Sequence, residues 1–170
     1  EDALEQELDL CPDSIPAAVN LGWLLEEQNR VPEALVQYRK AMYYQPNHPI
    51  LRWNHGLACL MLGDYSRGWR DYEHRWAARQ KTKPTYATPE WRGEPLRGRR
   101  LLLHSEQGFG DTLMFVRFAQ MLGRTEEVHL QCQPQLKRLL SQQLGLASVV
   151  STNEPATAHD VHAPVSYTHL

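Results

Sequence analysis

The stretch Arg100–Gly123, RLLLHSEQGFGDTLMFVRFAQMLG, decides the fold of the second half of the chain. Its apolar start, Leu101–Leu103, is typical of a short strand that is buried on both faces. A loop with two glycines follows at Glu106–Gly110, and the next two residues, Asp111-Thr112, are types that cap helix N-termini. Apolar residues then recur at a helical period up to Gly123, where we predict the end of the helix. The stretch therefore predicts a strand, a glycine turn and a helix, the first half of a βαβ unit.

The glycine turn has a functional and a structural explanation. The first N–H groups of a helix lack partners within the helix and carry partial positive charge, and glycines let a phosphate approach them closely. The turn is not the dinucleotide fingerprint G-x-G-x-x-G, because Leu113 occupies the place of the third glycine, and no Gly-Lys-Ser/Thr follows as in a P-loop. The alternative is a tight strand-to-helix connection in which Asp111 only caps the helix. The residues alone leave both explanations open.

The first half of the chain repeats with a period of 34 residues. Residues of matching type stand one period apart: Pro12 and Pro46, Gly22 and Gly56, Asn20 and Asn54, and Leu4, Tyr38 and Tyr72. This is the period of the tetratricopeptide repeat, a helix–turn–helix unit. The full unit has its pattern residues at Ala18, Leu21, Gly22, Leu25, Ala34, Tyr38, Ala41 and Pro46. We predict repeats over residues 1–82: a partial unit at 1–14, a full unit at 15–48, and a degenerate unit at 49–82 in which Gly68 and Arg75 replace the pattern's small residues.

Asn20 and Asn54 recur at the repeat period on the helix that lines the concave groove of such repeats. An amide both donates and accepts hydrogen bonds, which suits the backbone of a bound peptide. The alternative is a pair of ordinary surface asparagines. Together with Trp23, we assign them to a peptide-binding groove, so that the repeats would bind a protein or peptide partner.

Strands and helices alternate in the second half after a change of composition. We expect residues 83–99, which are rich in proline and basic residues, to form a linker that Trp91 anchors to one of the domains. Further strands are predicted near 127–131, 147–150 and 159–165, with a helix from Pro134 to Gly145 whose apolar positions are Leu136, Leu139, Leu140 and Leu144. Alternating strands and helices imply a parallel sheet. The fold class is therefore α + α/β.

Composition excludes several classes of protein. The net charge of −2 gives no field for nucleic acid, and no apolar run approaches the ~20 residues that span a membrane. Cys11, Cys59 and Cys132 are odd in number and form no C-x-x-C, which predicts reduced thiols in a cytoplasmic protein. His159-Asp-Val-His162 has no other metal-ligating side chains nearby in the sequence, so no metal site is predicted.

Two adjoining motifs resemble a known family. Trp91–Arg99, WRGEPLRGR, and Leu101–Thr112, LLLHSEQGFGDT, resemble the junction in bacterial tetratricopeptide proteins that carry a glycosyltransferase domain. That domain is similar to the heptosyltransferases of lipopolysaccharide synthesis (glycosyltransferase family 9) and, more distantly, to the O-linked N-acetylglucosamine transferases. The resemblance covers about Ala17–Pro164. It implies an inverting, metal-independent enzyme of the GT-B fold with two Rossmann-like domains, of which residues 100–164 would be an incomplete first one.

The resemblance also implies functional residues. The family's Gly-Asp after the first strand corresponds to Gly110-Asp111, so Asp111 would be the catalytic base that accepts the proton of the acceptor hydroxyl. Gln107, Gly108, Gly110 and Thr112 would bind substrate, a nucleotide-activated sugar would be the donor, and no cofactor would be tightly bound. A carboxylate at a helix N-terminus is stabilised in its charged form, which lowers its basicity. This effect favours a capping role for Asp111 over a role as catalytic base.

Two departures from the family bear on function. The chain stops at Leu170, inside the implied first domain, and residues 165–170 resemble translated sequencing-adapter sequence, so we expect a non-native tail. In the family the second domain holds most of the sugar nucleotide, so the 170-residue chain alone is expected to lack transferase activity. The alternative function is a non-catalytic tetratricopeptide module for protein–protein interaction.

Overall fold

The computed structural model describes residues 1–106, 108–122, 127–143 and 145–165. They form two compact units, Glu1–Pro84 and a second unit that begins at Thr85. The first unit is helical and the second has a parallel sheet with helices between its strands, so the predicted α + α/β class is confirmed. No helix in these residues is both long and apolar enough to cross a lipid bilayer.

Helical hairpins build the first unit. Its helices are α1 (Asp2–Leu10), α2 (Ile15–Glu27), α3 (Val31–Tyr44), α4 (Pro49–Met61), α5 (Tyr65–Tyr72) and α6 (Arg75–Ala78). A proline stands in the first two positions of α2, α3 and α4, where its missing N–H would have no helical partner in any case. Asn29 and Gly63 reverse the chain between paired helices with positive φ angles of 59° and 79°. Local turn chemistry thus places both hairpins where the repeat period predicts them.

Small residues at the repeat positions let the paired helices approach closely. A Cβ on Gly22 would overlap the ring of Tyr38, and a Cβ on Gly56 would lie 2.7 Å from the backbone nitrogen of Tyr72. The side chain of Tyr38 is fully buried, and its hydroxyl donates to Glu26 Oε1 at 3.2 Å. The two glycines, one period apart, are therefore both at helix contacts.

The second hairpin ends with a charged residue in its interior. A turn at residues 73–74 separates α5 from α6. Arg75, which stands where the repeat pattern has a small residue, is only 2% exposed. Its guanidinium lies 4.7 Å and 5.1 Å from the ring centroids of Tyr72 and Trp76, and Nη1 donates to Glu73 Oε1 at 2.9 Å. Cation–π contacts and a charged hydrogen bond therefore compensate for the burial of this arginine.

The second unit is built around four short parallel strands. Its elements are β1 (Leu101–His104), α7 (Phe109–Val116), α8 (Ala119–Leu122), β2 (Val128–Cys132), α9 (Pro134–Gln143), β3 (Ser148–Ser151) and β4 (Val161–Pro164). The strand order is β3-β2-β1-β4, and every pairing is parallel. This order matches the first four strands of a Rossmann-like sheet. The predicted alternation of strands and helices in a parallel sheet is confirmed.

The two faces of this sheet differ in chemistry. Leu101 and Leu103 of β1 belong to an apolar core that includes residues of all three helices: Val116, Ala119, Leu136 and Leu140. Leu102 and His104 alternate with them and point to the other face, in register with His129 and Gln131 of β2. Both sets are buried, as in parallel sheets generally, but the second set, apart from Leu102, is polar.

The helix after the glycine turn is shorter than predicted. It begins at Phe109, with Gly108 as its N-cap, so neither Asp111 nor Thr112 is the cap residue. A turn at residues 117–118 interrupts it before α8. The predicted helix end at Gly123 lies outside the described residues, as do Gln107, Leu144 and the tail from residue 166.

The segment before β1 packs into the second unit. Trp91 is 6% exposed and joins the apolar core, and its indole Nε1 donates to the backbone oxygen of Glu94 at 2.6 Å. The backbone N–H of Trp91 donates to His162 O at 2.7 Å, and that of His162 donates to Pro89 O at 3.1 Å. Trp91 is thus an anchor, as predicted, and this segment runs beside β4.

Candidate functional site

The glycine turn lies at the point where the strand order reverses. From β1 the chain proceeds through β2 to β3 on one side, and then returns to place β4 on the other side of β1. The backbone N–H of Val165, just after β4, donates to the carbonyl of His104 at 2.7 Å, so the carboxyl ends of these two strands are adjacent. In open α/β sheets, ligands bind outside the carboxyl ends of the strands at such a switch point. The turn from β1 to α7 is therefore at the edge where this fold binds ligands.

Gly108 and Gly110 have no structural need to be glycine. Neither has a positive φ, and a Cβ added to either residue would meet no heavy atom of the described residues within 4 Å. Gly22 and Gly56 are different, because a Cβ there would collide with the neighbouring helix. The effect of glycine at positions 108 and 110 is therefore to leave the backbone surface open, so that another molecule can approach it closely.

The glycine turn leads directly into the first turn of α7. Gly108 is the N-cap in extended conformation (φ −69°, ψ 172°), and as a glycine it has no side chain that could accept a capping hydrogen bond. The backbone N–H of Thr112 donates to Gly108 O at 3.2 Å. Asp111 lies in the first turn of α7, at the third position, and is partly buried. In an α-helix generally, the first N–H groups point along the N-terminal end of the helix axis.

Thr112 supports the turn from inside the fold. Its side chain is fully buried, and its hydroxyl oxygen lies 3.3 Å from Gly108 O and 3.1 Å from Gln133 Oε1. A hydroxyl has one proton, so it donates to one of these acceptors at a time. Gln133 follows β2, so Thr112 links the N-cap residue to the end of the neighbouring strand.

A buried polar layer on the second face of the sheet was not predicted. His104 Nε2 and His162 Nδ1 lie 3.2 Å apart, and the ring centroid of Tyr86 is 4.7 Å and 4.5 Å from those two rings. The Tyr86 hydroxyl donates to Gln131 Oε1 at 3.0 Å, and burial raises the pKa of Tyr86. Alternation along β1 would have placed His104 on the face opposite Leu103. The contact of Tyr86 with these two histidines could not be predicted from the sequence, because Tyr86 lies in the segment that was predicted to be a linker.

The predicted groove residues lie in the first unit. Asn20 is exposed, Trp23 is 61% exposed, and Asn54 is partly buried. Asn20 and Trp23 are three residues apart on α2, hence about 60° apart around its axis and on one face. Asn54 lies on α4, which contacts α2.

Comparison with known proteins finds likenesses to a curated protein and to solved structures. No family model matches the chain. Protein FlbA of Caulobacter vibrioides is 31% identical over 117 residues, which are 65% of this chain and 20% of FlbA. A solved structure of a mutant O-GlcNAc transferase from Thermobaculum terrenum is 18% identical, with a TM-score of 0.41, over 88% of this chain and 36% of that chain. The chain thus spans about one fifth of the length of FlbA, and neither likeness places it in a family.

Proposed function

We propose that the chain belongs to a tetratricopeptide-repeat glycosyltransferase. The α/β unit is the acceptor-side half of a sugar-nucleotide-dependent transferase, and the repeats bind protein or peptide. The observation that carries this proposal is the pair Gly108 and Gly110, for which the fold supplies no conformational or packing reason. Their open backbone stands at the switch point of a Rossmann-like sheet, where a substrate can approach the start of α7.

Asp111 has the role of catalytic base in this proposal. It lies one residue after Gly110 in the first turn of α7, next to the open backbone surface. Because Gly108 is the N-cap, Asp111 stands at the third position of the helix and not at the capping position. Thr112 is a positioning residue, since its buried hydroxyl contacts the N-cap residue Gly108. Gln107, which lies outside the described residues, is assigned to substrate binding from the family resemblance alone.

Substitution of Asp111 tests the proposed transferase activity. The protein is expressed from its complete open reading frame, and release of nucleoside diphosphate is measured for a panel of sugar nucleotides. We expect Asp111→Asn to reduce kcat by about 10²–10⁴-fold, the usual contribution of a general base. Asp13→Asn, at an exposed site in the first unit, is the matched control and should have no effect. Full activity of Asp111→Asn would remove Asp111 from the mechanism.

The repeats are tested separately, through the groove. A peptide selected by phage display against the chain is titrated by calorimetry into the wild type and into Asn20→Ala and Asn54→Ala. Each lost amide hydrogen bond should cost about 0.5–1.5 kcal/mol, or about two- to tenfold in Kd. Asn47→Ala, in the exposed loop before α4, is the control. Unchanged affinity in both groove variants would refute the groove. Peptide binding without any release of nucleoside diphosphate by the complete protein would favour the non-catalytic interaction module.

A further inference from the structure

A cleft of about 540 Å³ opens between α1 and α3 of the first unit. Glu5, Leu8 and Asp9 line one wall, and Lys40, Ala41 and Tyr44 line the other. Both sets follow the three- and four-residue spacing of one helix face, so each helix turns a single face toward the cleft. We call this cavity the outer cleft.

The outer cleft and the predicted peptide groove lie on opposite sides of α2. Ala18 and Leu21 of α2 form the floor of the cleft. At 100° per residue, the midpoint of Ala18 and Leu21 is about 160° from the midpoint of Asn20 and Trp23 around the helix axis. A ligand in the outer cleft would therefore not compete with a peptide in the groove.

The two carboxylates of the cleft are placed unfavourably for the helix that carries them. Glu5 and Asp9 are four residues apart, so like charges face each other on α1. Asp9 also lies in the last turn, where the helix dipole disfavours negative charge, and α1 has no basic residue there. Within the described part of the chain, neither carboxylate has an ion-pair or hydrogen-bond partner. A cation in the cleft would relieve both effects.

Aromatic rings stand beside these charges. Tyr43 and Tyr44 both line the cleft, with perpendicular rings whose centroids are 5.3 Å apart and with 84% and 50% of their surfaces exposed. An ammonium or guanidinium group is attracted to the face of such rings. Lys40 brings one positive charge to the cleft against the two negative charges of Glu5 and Asp9, which leaves a net charge of −1 among these groups.

We propose that the outer cleft binds a lysine or arginine side chain of a partner polypeptide. The carboxylates of Glu5 and Asp9 pair with its charge, and the tyrosine rings cover its alkyl or guanidinium part. Lys40 opposes the cation, so its removal should strengthen binding. Removal of the Glu5 charge and removal of the Lys40 charge should therefore change the affinity in opposite directions. The direction of each change distinguishes a cationic ligand from an acidic one.

The experiment is a titration of the isotopically labelled 170-residue chain with short peptides, followed by NMR. The probes are acetyl-Gly-Arg-Gly-amide, acetyl-Gly-Lys-Gly-amide and acetyl-Gly-Glu-Gly-amide. We expect the basic peptides to shift the backbone amides of Leu8, Ala41 and Tyr44, and the acidic peptide to leave them in place. The double variant Glu5→Gln/Asp9→Asn should weaken binding of the basic peptides by about two- to thirtyfold, as expected for two exposed ion pairs.

Three further variants complete the test. Tyr44→Leu should weaken binding by about two- to fivefold through loss of the cation–π contact. Lys40→Gln should strengthen it by up to about fivefold. Asp2→Asn changes the same charge on the same helix outside the cleft and should leave the affinity near that of the wild type. The proposal is overturned if the basic peptides cause no shifts in the cleft, if Lys40→Gln weakens binding, or if Asp2→Asn weakens it as much as the double variant.

Discussion

Replacing Gly110 with alanine should separate the stability of the second unit from its activity. Gly110 is the second residue of α7 and has no positive φ, and a Cβ added to it would meet no heavy atom of the described residues within 4 Å. Alanine is favoured over glycine in helices by up to about 1 kcal/mol. A domain of this size gains about 4–8 °C in Tm per kcal/mol. The Tm of Gly110→Ala should therefore equal that of the wild type or exceed it by a few degrees.

The activity should fall, because the added methyl group occupies space that the proposed function gives to substrate. Overpacking of a close contact costs about 1–3 kcal/mol. At about 1.4 kcal/mol per tenfold, this is a loss of about 5- to 150-fold in kcat/KM. The assay is release of nucleoside diphosphate by the protein expressed from its complete open reading frame, with thermal melting measured on the same samples.

Gly93→Ala is the matched control for this prediction. Gly93 has a φ of 92°, and a Cβ on it would also meet nothing within 4 Å, so it differs from Gly110 in conformation and not in available space. Alanine at such a φ should destabilise the unit by about 1 kcal/mol or more, with kcat/KM per folded molecule unchanged. The reasoning is refuted if Gly110→Ala keeps full turnover, or if it lowers the Tm as Gly93→Ala does.

Two further predictions concern the first unit. Gly22→Leu should destabilise it by about 1–3 kcal/mol, because even a Cβ there overlaps the ring of Tyr38; an unchanged Tm would show that the two helices are not in contact at this point. Burial lowers the pKa of His55 despite the raising effect of Asp71 Oδ2 at 2.7 Å. The unfolded chain therefore binds more protons than the folded one below about pH 6.5, so stability should be complete above that pH and decrease as the pH falls. Urea unfolding at about pH 7.5 and about pH 5.5 measures this decrease. In His55→Gln, the loss of stability between these two pH values should be smaller than in the wild type. An equal loss in that variant would show that other titratable groups cause it.

Much of the fold could be predicted because its signals are local. The 34-residue period places Gly22 and Gly56 at equivalent helix contacts, and prolines mark the starts of α2, α3 and α4. The apolar run at Leu101 and the glycines after it predict β1 and the turn into α7. These features depend on residues a few positions apart, whose spacing and backbone preferences are readable from one sequence.

Part of the candidate site could not be predicted, because it depends on distant segments. The N-cap falls at Gly108 rather than at Asp111, although aspartate is the better capping residue in isolation. The layer of Tyr86, His104 and His162 joins three segments that are far apart in the chain. The outer cleft depends on the separation of α1 from α3, which no spacing within either helix reveals.

The sequence by itself determined the element types, the repeat period and the residues of the glycine turn, since these follow from side-chain periodicity and from the backbone limits of proline and glycine. Only the tertiary structure decided that β4 lies beside β1, which puts the turn at a switch point of the sheet. Only the structure showed that Gly108 and Gly110 are not needed as glycines by the fold. The physical reason is that strand order and free space arise from packing between distant segments, and a local pattern does not encode either.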